Sequence, residues 1–300
     1  MQFTRKDKLI IIGAGKIAYS LVPALSDKGY KIKAIISKRI KGAKELASKL
    51  KISEYGDDPE KIKIKKGVFI LAVPDNQIKS AAERYSKIKI DFRHSLFIHL
   101  SGSNDISLLN CLALKKAQIA SFHIMQTFPS KRRKNIKNSF AAVETNSKET
   151  VEYLFKVASD LELKPFCIES QYKTLYHLTG VFASNFINAV LFQSKQLFDL
   201  LELKQYSFNR ILSPLFNSTI KNIKVTSPAK ALSGPVERGD LDTLKKHIRA
   251  IKQLTNNKEN ILNSYLSLSL VLINATKVKY GELNRNQSEI KELLLKELCN

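Results

Sequence analysis

The sequence Leu9-Ile10-Ile11-Ile12-Gly13-Ala14-Gly15-Lys16-Ile17-Ala18 decides the fold. An apolar run too short for most helices leads directly into Gly-x-Gly-x-x-Ala, and an apolar helical pattern follows. This order of strand, glycine turn and helix is typical of the phosphate-binding turn in dinucleotide-binding folds. Helix N-termini present free amides, which favour an anion. Although an ordinary strand-to-helix turn is the alternative, we predict a diphosphate site made by Gly13, Ala14, Gly15, Lys16 and Ile17.

The end of the next predicted strand indicates which dinucleotide binds. Residues 31–36 form that strand, and an NAD-binding fold places an acidic residue at its end. This sequence has Ser37-Lys38-Arg39 there instead. A hydroxyl and two cations favour a 2′-phosphate, because Arg offers a planar pair of donors and Ser a short one. The sequence therefore predicts NADP(H), unless the two cations are only part of a basic surface.

The net charge of the chain is strongly positive, at +23 over 300 residues. Only ten of the fifty basic residues are Arg, and the Lys residues are scattered over the whole length. No zinc-finger spacing or aromatic RNA-binding signature accompanies them. We therefore favour a solvated, Lys-rich surface over a nucleic-acid-binding protein. The length allows two domains, and the 44% hydrophobic fraction indicates a globular chain.

Cysteine use and apolar segments indicate a cytoplasmic protein. Cys111, Cys167 and Cys299 are odd in number and far apart, which argues against a disulfide framework, and no metal-ligand spacing is present. The N-terminus reaches the glycine turn too early to hold a secretory signal. The apolar stretch 266–275 contains serines and is too short to span a bilayer. We expect no membrane association.

The chain divides into an alternating part and a helical part. Strand patterns recur up to residue 168, whereas helical stretches separated by Pro and Gly follow from residue 169. This pattern predicts an α/β protein, with a Rossmann-type doubly wound parallel sheet over 1–168 and a mostly α-helical substrate and dimerisation domain over 169–300. At strand ends, Val73 and Pro74 are expected beside the adenosine half of the cofactor, and Ser101 near the nicotinamide.

A long helix predicted over 171–201 contains few charges but several polar side chains. Plotted at 100° per residue, these side chains fall along one face: Thr174, His177, Ser184, Asn185 and Asn188. Buried polar groups need partners, which a ligand or a neighbouring helix can supply. We predict that Ser184 and Asn188 bind substrate, with packing against other helices or a second chain as the alternative.

Reduction of a carbonyl by hydride needs a proton donor and a dipole that holds the carbonyl. His177 is a candidate donor and Asn185 a candidate for orienting the substrate. His123, which follows a predicted strand, is the rival donor. In the Gly-Pro turn at 233–240, Ser233 is expected to contact substrate and Arg238 to bind its carboxylate, unless Arg238 only pairs with Asp240.

The chain resembles a group of Rossmann-like oxidoreductases whose helical C-terminal half was long labelled only a domain of unknown function. The resemblance is carried by residues 9–18, by the sequence from His123 to Phe128, by Tyr176-His177 with Phe182-Ala183-Ser184-Asn185, and by residues 233–240. The family usually has Pro-Leu after the first of these histidines, where this chain has Ile124-Met125. Some members resemble non-classical ketopantoate reductases, which implies NADPH-dependent reduction of 2-dehydropantoate.

Ordinary ketopantoate reductases carry a Lys one turn before the helix Asn, whereas this chain has Val181 there. Another group, such as His177, must then supply the proton. The prediction is thus an NADPH-dependent reductase of a small keto acid that acts as a homodimer. Imine reduction of the pyrroline-5-carboxylate reductase type and a non-catalytic NADP(H)-binding module are the alternatives.

Overall fold

The computed structural model describes residues 3–61 and 64–299. The chain divides into two compact units, residues 1–187 and 188–300. Within the described residues, the first unit contains all the strands, and the second is built from helices. The functional boundary expected after residue 168 stays a prediction.

A single eight-stranded sheet forms the first unit. Its order is β3-β2-β1-β4-β5-β6-β7-β8, and all neighbouring pairs are parallel except β6 with β7. This arrangement confirms the predicted doubly wound fold, although the last two strands run in the reverse direction. The strands are β1 (Leu9–Ile12), β2 (Ile32–Ile36), β3 (Glu54–Gly56), β4 (Val68–Leu71), β5 (Leu96–His99), β6 (Gln118–Ile124), β7 (Phe140–Glu144) and β8 (Lys164–Cys167).

The central strands form because their residues are apolar on both faces of the sheet. Every residue of β1, β4 and β5 is buried, which is typical of parallel strands covered by helices on both sides. The short strand β3 escaped sequence reasoning. Its three residues have no apolar run, and its place is set by pairing with β2.

Helices cover both faces of this sheet. They are α1 (Ala18–Asp27), α2 (Ile40–Lys49), α3 (Ile78–Ser86), α4 (Asn110–Ala113) and α5 (Lys148–Asp160). Buried residues of α1, α2 and α5 form one core with one face, and those of α3 and α4 form another core with the opposite face. Ser147 caps α5, because its hydroxyl accepts a hydrogen bond from the Thr150 amide.

Asp75 lies at the start of a helical segment but does not cap it. A short 3₁₀ turn, Asp75–Gln77, precedes α3, and its N-terminus has no side-chain cap. The Asp75 carboxylate instead accepts hydrogen bonds from the hydroxyls of Ser101, at 2.7 Å, and Ser103, at 3.4 Å. It therefore joins two strand ends across the sheet.

The long predicted helix is present but is not uniform. After a 3₁₀ turn at Ser170–Tyr172 it consists of α6 (Lys173–Gly180), a π-helical segment (Val181–Phe186) and α7 (Ile187–Asp199). A π turn holds more residues than an α turn, so the projection at 100° per residue is wrong beyond Gly180. The expected burial is wrong as well, since α7 has no buried residue and Phe182 is 61% exposed.

The second unit packs further helices around a small core of its own. They are α8 (Phe208–Val225), α9 (Pro235–Arg238), α10 (Leu241–Lys252), α11 (Lys258–Tyr280) and α12 (Arg285–Leu298). Leu244, Leu266 and Ile290 lie in this core. Asp240 caps α10, because its carboxylate accepts hydrogen bonds from the Thr243 amide and hydroxyl.

Two helical stretches are long and apolar enough to cross a membrane by length and composition alone: Ser170–Asp199 and Lys258–Tyr280. The second contains residues 266–275 but is longer than that apolar stretch. Core helices of water-soluble proteins meet the same requirement, and Leu266 and Ile273 of the second stretch are buried in the core.

Candidate functional site

The glycine turn after β1 adopts a backbone that requires glycine at its first position. Gly13 has φ +105°, and a Cβ there would lie 2.4 Å from the carbonyl oxygen of Ala72. The Gly13 amide donates to the Ile36 carbonyl at 2.7 Å, so the amides that can face an anion begin with Ala14. Ala18 is fully buried, as expected for close packing of α1 on the sheet. The turn therefore fits a bound diphosphate.

A cavity of about 870 Å³ opens beside this turn. Its lining includes most of the residues predicted to hold the dinucleotide: Gly13, Ala14, Gly15, Ser37, Lys38, Arg39, Val73 and Pro74. Lys16 and Ile17 continue the turn into α1. Lys41, Arg84 and Lys131 also line the cavity and were not predicted. The volume and the excess of cations fit a phosphorylated nucleotide.

The other half of the sheet edge carries two histidines. Strand β6 is longer than its neighbour β5, whose last residue, His99, pairs with Ser121. His123 therefore lies beyond the end of β5, above the loop that follows it. A Cβ on Gly102 in that loop would lie 2.8 Å from both His123 Nε2 and His177 Nδ1. Because Gly102 has no side chain, both rings reach the same small space next to the loop.

Tyr176 holds the His123 ring. The Tyr176 hydroxyl lies 3.0 Å from His123 Nδ1, and the two rings meet edge to face. Burial raises the pKa of Tyr176 to about 12, so the hydroxyl keeps its proton at neutral pH. Burial lowers the pKa of His123 to about 4, and the charges of His177 and Lys173 act in the same direction. His123 is thus a neutral imidazole at physiological pH.

A buried ion pair lies behind these rings, and sequence reasoning missed it. Lys173 is 1% exposed, and its Nζ lies 3.2 Å from Glu144 Oε2. The same ammonium donates to the Ser121 hydroxyl and, at 3.3 Å, to the Ser101 carbonyl. Burial lowers the Lys173 pKa, and the Glu144 carboxylate opposes that change. Lys173 precedes Tyr176 and His177 by three and four residues, so it fastens their helix to β6 and β7.

The loop after β5 is fixed by His99 and Ser101. The Ser101 amide donates to His99 Nδ1 at 3.2 Å, and His99 Nε2 donates to the Asp105 carbonyl at 3.1 Å. These bonds define a neutral tautomer, and burial lowers the His99 pKa to about 4. The Ser101 hydroxyl, predicted to lie near a nicotinamide, donates to Asp75 and accepts from the Asn104 amide.

The remaining predicted residues lie on the long helix and in the second unit. Ser184 and Asn185 belong to the π-helical segment, and Asn188 begins the second unit. Ser233 and Arg238 also lie in that unit, at the turn before and within α9. Asp240 caps α10, and Glu237 pairs with Lys279 at 2.8 Å, so the turn is held by those contacts. The roles of these residues stay predictions.

Two known domain families match the chain, one in the part that contains the glycine turn and one in the part that contains the long helix. Residues 8–99 match the family described as NADP oxidoreductase, coenzyme F420-dependent. Residues 139–271 match the domain of unknown function DUF2520. The chain joins an NADP oxidoreductase domain to a DUF2520 domain. The predicted family resemblance and NADP(H) as cofactor are thereby confirmed at the level of the family. No curated protein matches the sequence significantly.

Solved structures share this architecture over most of the chain. A protein assigned as an NADP oxidoreductase from Bacteroides fragilis is 24% identical, with a TM-score of 0.74 over 89% of this chain and 98% of its own. A Thermotoga maritima protein is also 24% identical, with a TM-score of 0.68 over 90% and 99%. A pyrroline-5-carboxylate reductase from Coxiella burnetii is 17% identical, with a TM-score of 0.55 over 96% and 98%. At these identities the likeness concerns the fold.

Proposed function

We propose that this NADP-dependent oxidoreductase uses NADPH to reduce a small 2-keto acid, with 2-dehydropantoate as the leading candidate. The observation that carries the proposal is the convergence of His123 Nε2 and His177 Nδ1 on one small space beside Gly102. Carbonyl reduction requires hydrogen-bond donors near one oxygen, and two imidazole nitrogens that lie beside the same glycine are candidates to supply them. The resemblance of the sequence to non-classical ketopantoate reductases supports the choice of substrate.

The bound NADPH would supply the hydride that reduces the carbonyl carbon. The protein must then place the carbonyl, stabilise negative charge on its oxygen and deliver one proton to that oxygen. With the Tyr176 hydroxyl donating to His123 Nδ1, the His123 proton is on Nε2, which faces the same space as His177. His123 can therefore polarise the carbonyl as a neutral N–H donor.

The proton itself is assigned to His177. The pKa of His123 is about 4, so this ring does not carry an extra proton at neutral pH. His177 is half-buried, so part of its ring is in contact with solvent. The product of the reaction is the 2-hydroxy acid, formed from one hydride and one proton. Asn185 is proposed to orient the substrate.

The substrate carboxylate is assigned to residues that the sequence analysis predicted. Arg238 can bind a carboxylate through two parallel hydrogen bonds, and Ser184, Asn188 and Ser233 would supply further polar contacts. Ser101, Lys16 and Ile17 are proposed to complete the cofactor site through the backbone, because the Ser101 hydroxyl already bonds to Asp75.

Imine reduction is the second candidate. The fold extends over 98% of a pyrroline-5-carboxylate reductase structure, which supports a substrate with a C=N bond. The two reactions place different demands on the site, because an imine is reduced more readily when its nitrogen is protonated. The neutral His123 can donate a hydrogen bond to a carbonyl oxygen but carries no extra proton for an imine nitrogen, which favours the keto acid.

We further propose a cytoplasmic homodimer. Large apolar side chains along the helix from Ser170 to Asp199 are exposed in the single chain, with Phe182 at 61% and Phe192 at 64%. Large exposed apolar side chains along one helix are typical of a contact between protein chains. Size-exclusion chromatography with light scattering tests the dimer directly.

Steady-state oxidation of NADPH with a panel of substrates tests the proposed activity. The panel contains 2-dehydropantoate, other 2-keto acids and pyrroline-5-carboxylate, and each is also measured with NADH. Turnover of 2-dehydropantoate at the highest kcat/KM supports the proposal, and preference for pyrroline-5-carboxylate supports imine reduction. NADPH binding without turnover of any substrate would instead indicate a binding module.

A further inference from the structure

The connection between β6 and β7 carries a basic residue into the nucleotide cavity. The segment Ser130-Lys131-Arg132-Arg133-Lys134 has the composition of a solvated loop. In the structure Lys131 lines the same cavity as Gly13 and Arg39. A residue far away in sequence from the glycine turn therefore meets it in space.

Several contacts fix this connection over α1. The Lys134 amide donates to the Ser20 hydroxyl at 3.0 Å, and Arg133 pairs with Asp27. Lys134 Nζ donates to the Thr127 carbonyl at 3.0 Å and to the Thr127 hydroxyl at 2.9 Å. The following residue but one, Ile136, is buried in the main core. The backbone close to Lys131 is thus anchored, so the fold sets the point from which its side chain reaches the cavity.

The Lys131 ammonium lies between the glycine turn and the start of α2. Its Nζ is 3.8 Å from the position that a Cβ on Gly42 would take, and Ala14 Cβ is 3.4 Å from the same position. The ammonium also lies over the Tyr19 ring, 5.6 Å from its centroid. Among the described residues it has no ion pair, whereas Arg84 across the cavity pairs with Asp58 at 3.5 Å. Its charge is therefore available to an anion.

We propose that Lys131 is a ligand of the 2′-phosphate of NADPH and sets the preference for NADPH over NADH. Gly42 belongs to the first turn of α2, which Arg39 precedes, so Lys131 and Arg39 approach the same end of that helix. A cation on each side suits a phosphate monoester, which carries nearly two negative charges. This inference rests on the proposed NADPH-dependent function and adds a residue from outside the Ser37-Lys38-Arg39 segment.

Calorimetric titration of the full-length protein with NADPH and with NADH tests the proposal. Lys131→Ala is expected to weaken NADPH about tenfold, the loss of one charge-assisted contact in a partly solvated site, and to leave NADH within about twofold. Lys131→Arg should retain most of the NADPH affinity because it keeps the charge.

Arg132→Ala is the matched control, because it removes the same charge from the adjacent position. The Arg132 contact that holds the segment, between its carbonyl and the Ser20 hydroxyl, is made by the backbone and survives the substitution. Equal NADPH affinities for the Lys131→Ala and Arg132→Ala proteins would overturn the proposal. An equal loss of NADPH and NADH would overturn it too, since Lys131 would then bind the diphosphate. A wild-type protein that binds no NADPH would refute the proposed function itself.

Discussion

The two halves of the sheet edge differ in how their sites are built. The half at β1 and β2 uses backbone amides and side chains that lie within a few residues of each strand end. The half at β5 and β6 uses side chains from three distant segments, including Lys173 and Glu144, which are both nearly fully buried. A local site tolerates change in one contact at a time, whereas a buried shared site loses several contacts together.

The largest effect is expected at the histidine pair. His177→Ala should lower kcat by about 10²–10⁴-fold, because it removes the proposed proton donor, and leave the Kd for NADPH within about twofold. His247→Ala is the control, since His247 contacts the Tyr265 hydroxyl at 3.0 Å much as His123 contacts Tyr176. Single-turnover kinetics and NADPH titration measure the two quantities. An unchanged kcat would remove His177 from the mechanism.

Removing one partner of the buried Lys173–Glu144 pair should lower the stability of the protein. Lys173→Met leaves the Glu144 carboxylate buried without its partner, which is expected to destabilise the protein by about 3–5 kcal/mol. Adding Glu144→Gln should restore part of that loss, because the amide is uncharged and can still accept from Ser170. Urea denaturation measures both variants.

Lys195→Met is the control for this pair, because Lys195 and Asp199 form an exposed pair of the same type. Exposed pairs contribute at most about 1 kcal/mol. Similar losses for Lys173→Met and Lys195→Met would show that the buried cluster contributes no more than a surface contact.

The pH dependence of stability should reflect His99. The unfolded chain binds a proton at this ring near pH 6.5, whereas the folded protein does so only at about pH 4. Between these values the unfolded state binds more protons, so stability falls as the pH is lowered from 6.5 to 4. His99 contributes an expected loss of about 3 kcal/mol, and His123, whose pKa is also lowered to about 4, adds a similar loss, so His99→Asn should remove about half of the pH dependence. His94→Asn, at an exposed position, should keep the wild-type slope, and identical slopes for all three proteins would contradict this account.

The smallest effect is expected in the local half. Arg39→Asp should weaken NADPH about 10–100-fold and NADH about threefold or less, because a carboxylate repels the 2′-phosphate and suits a free ribose. Lys44→Asp makes the same charge change on α2 outside the cavity lining and should affect both cofactors little. Fluorescence titration with each cofactor distinguishes the two. Equal losses for NADPH and NADH would exclude a 2′-phosphate contact.

The difference between the two halves of the sheet edge also explains which site residues could be predicted from the sequence. Gly13, Ser37 and Arg39 could be found because a turn and the residues after a strand are contiguous in the chain. Asp240 and Ser147 could be found as helix caps for the same reason. Phosphate binding at the start of a helix can therefore be predicted from a short, contiguous segment of sequence.

The histidine site could be predicted only in part. His123 and His177 were each plausible, but their convergence depends on Gly102 and on the extra length of β6, which only the fold reveals. Lys173 gave one signal that could have been used: a cation in an otherwise apolar helix, one turn before an aromatic residue and a histidine. The π-helical segment gave none, because no residue pattern marks it.

The reversal of β7 has a consequence for the nucleotide site. A parallel seventh strand would have required a crossover along a face of the sheet to return the chain to the opposite edge. Because β7 runs antiparallel to β6, the chain turns back at the rim where the strands β1 to β6 end. The β6–β7 connection therefore places Lys131 at the nucleotide cavity, although β6 lies three strands away from β1 in the sheet. A protein of this fold with all strands aligned would have to take that charge from another element.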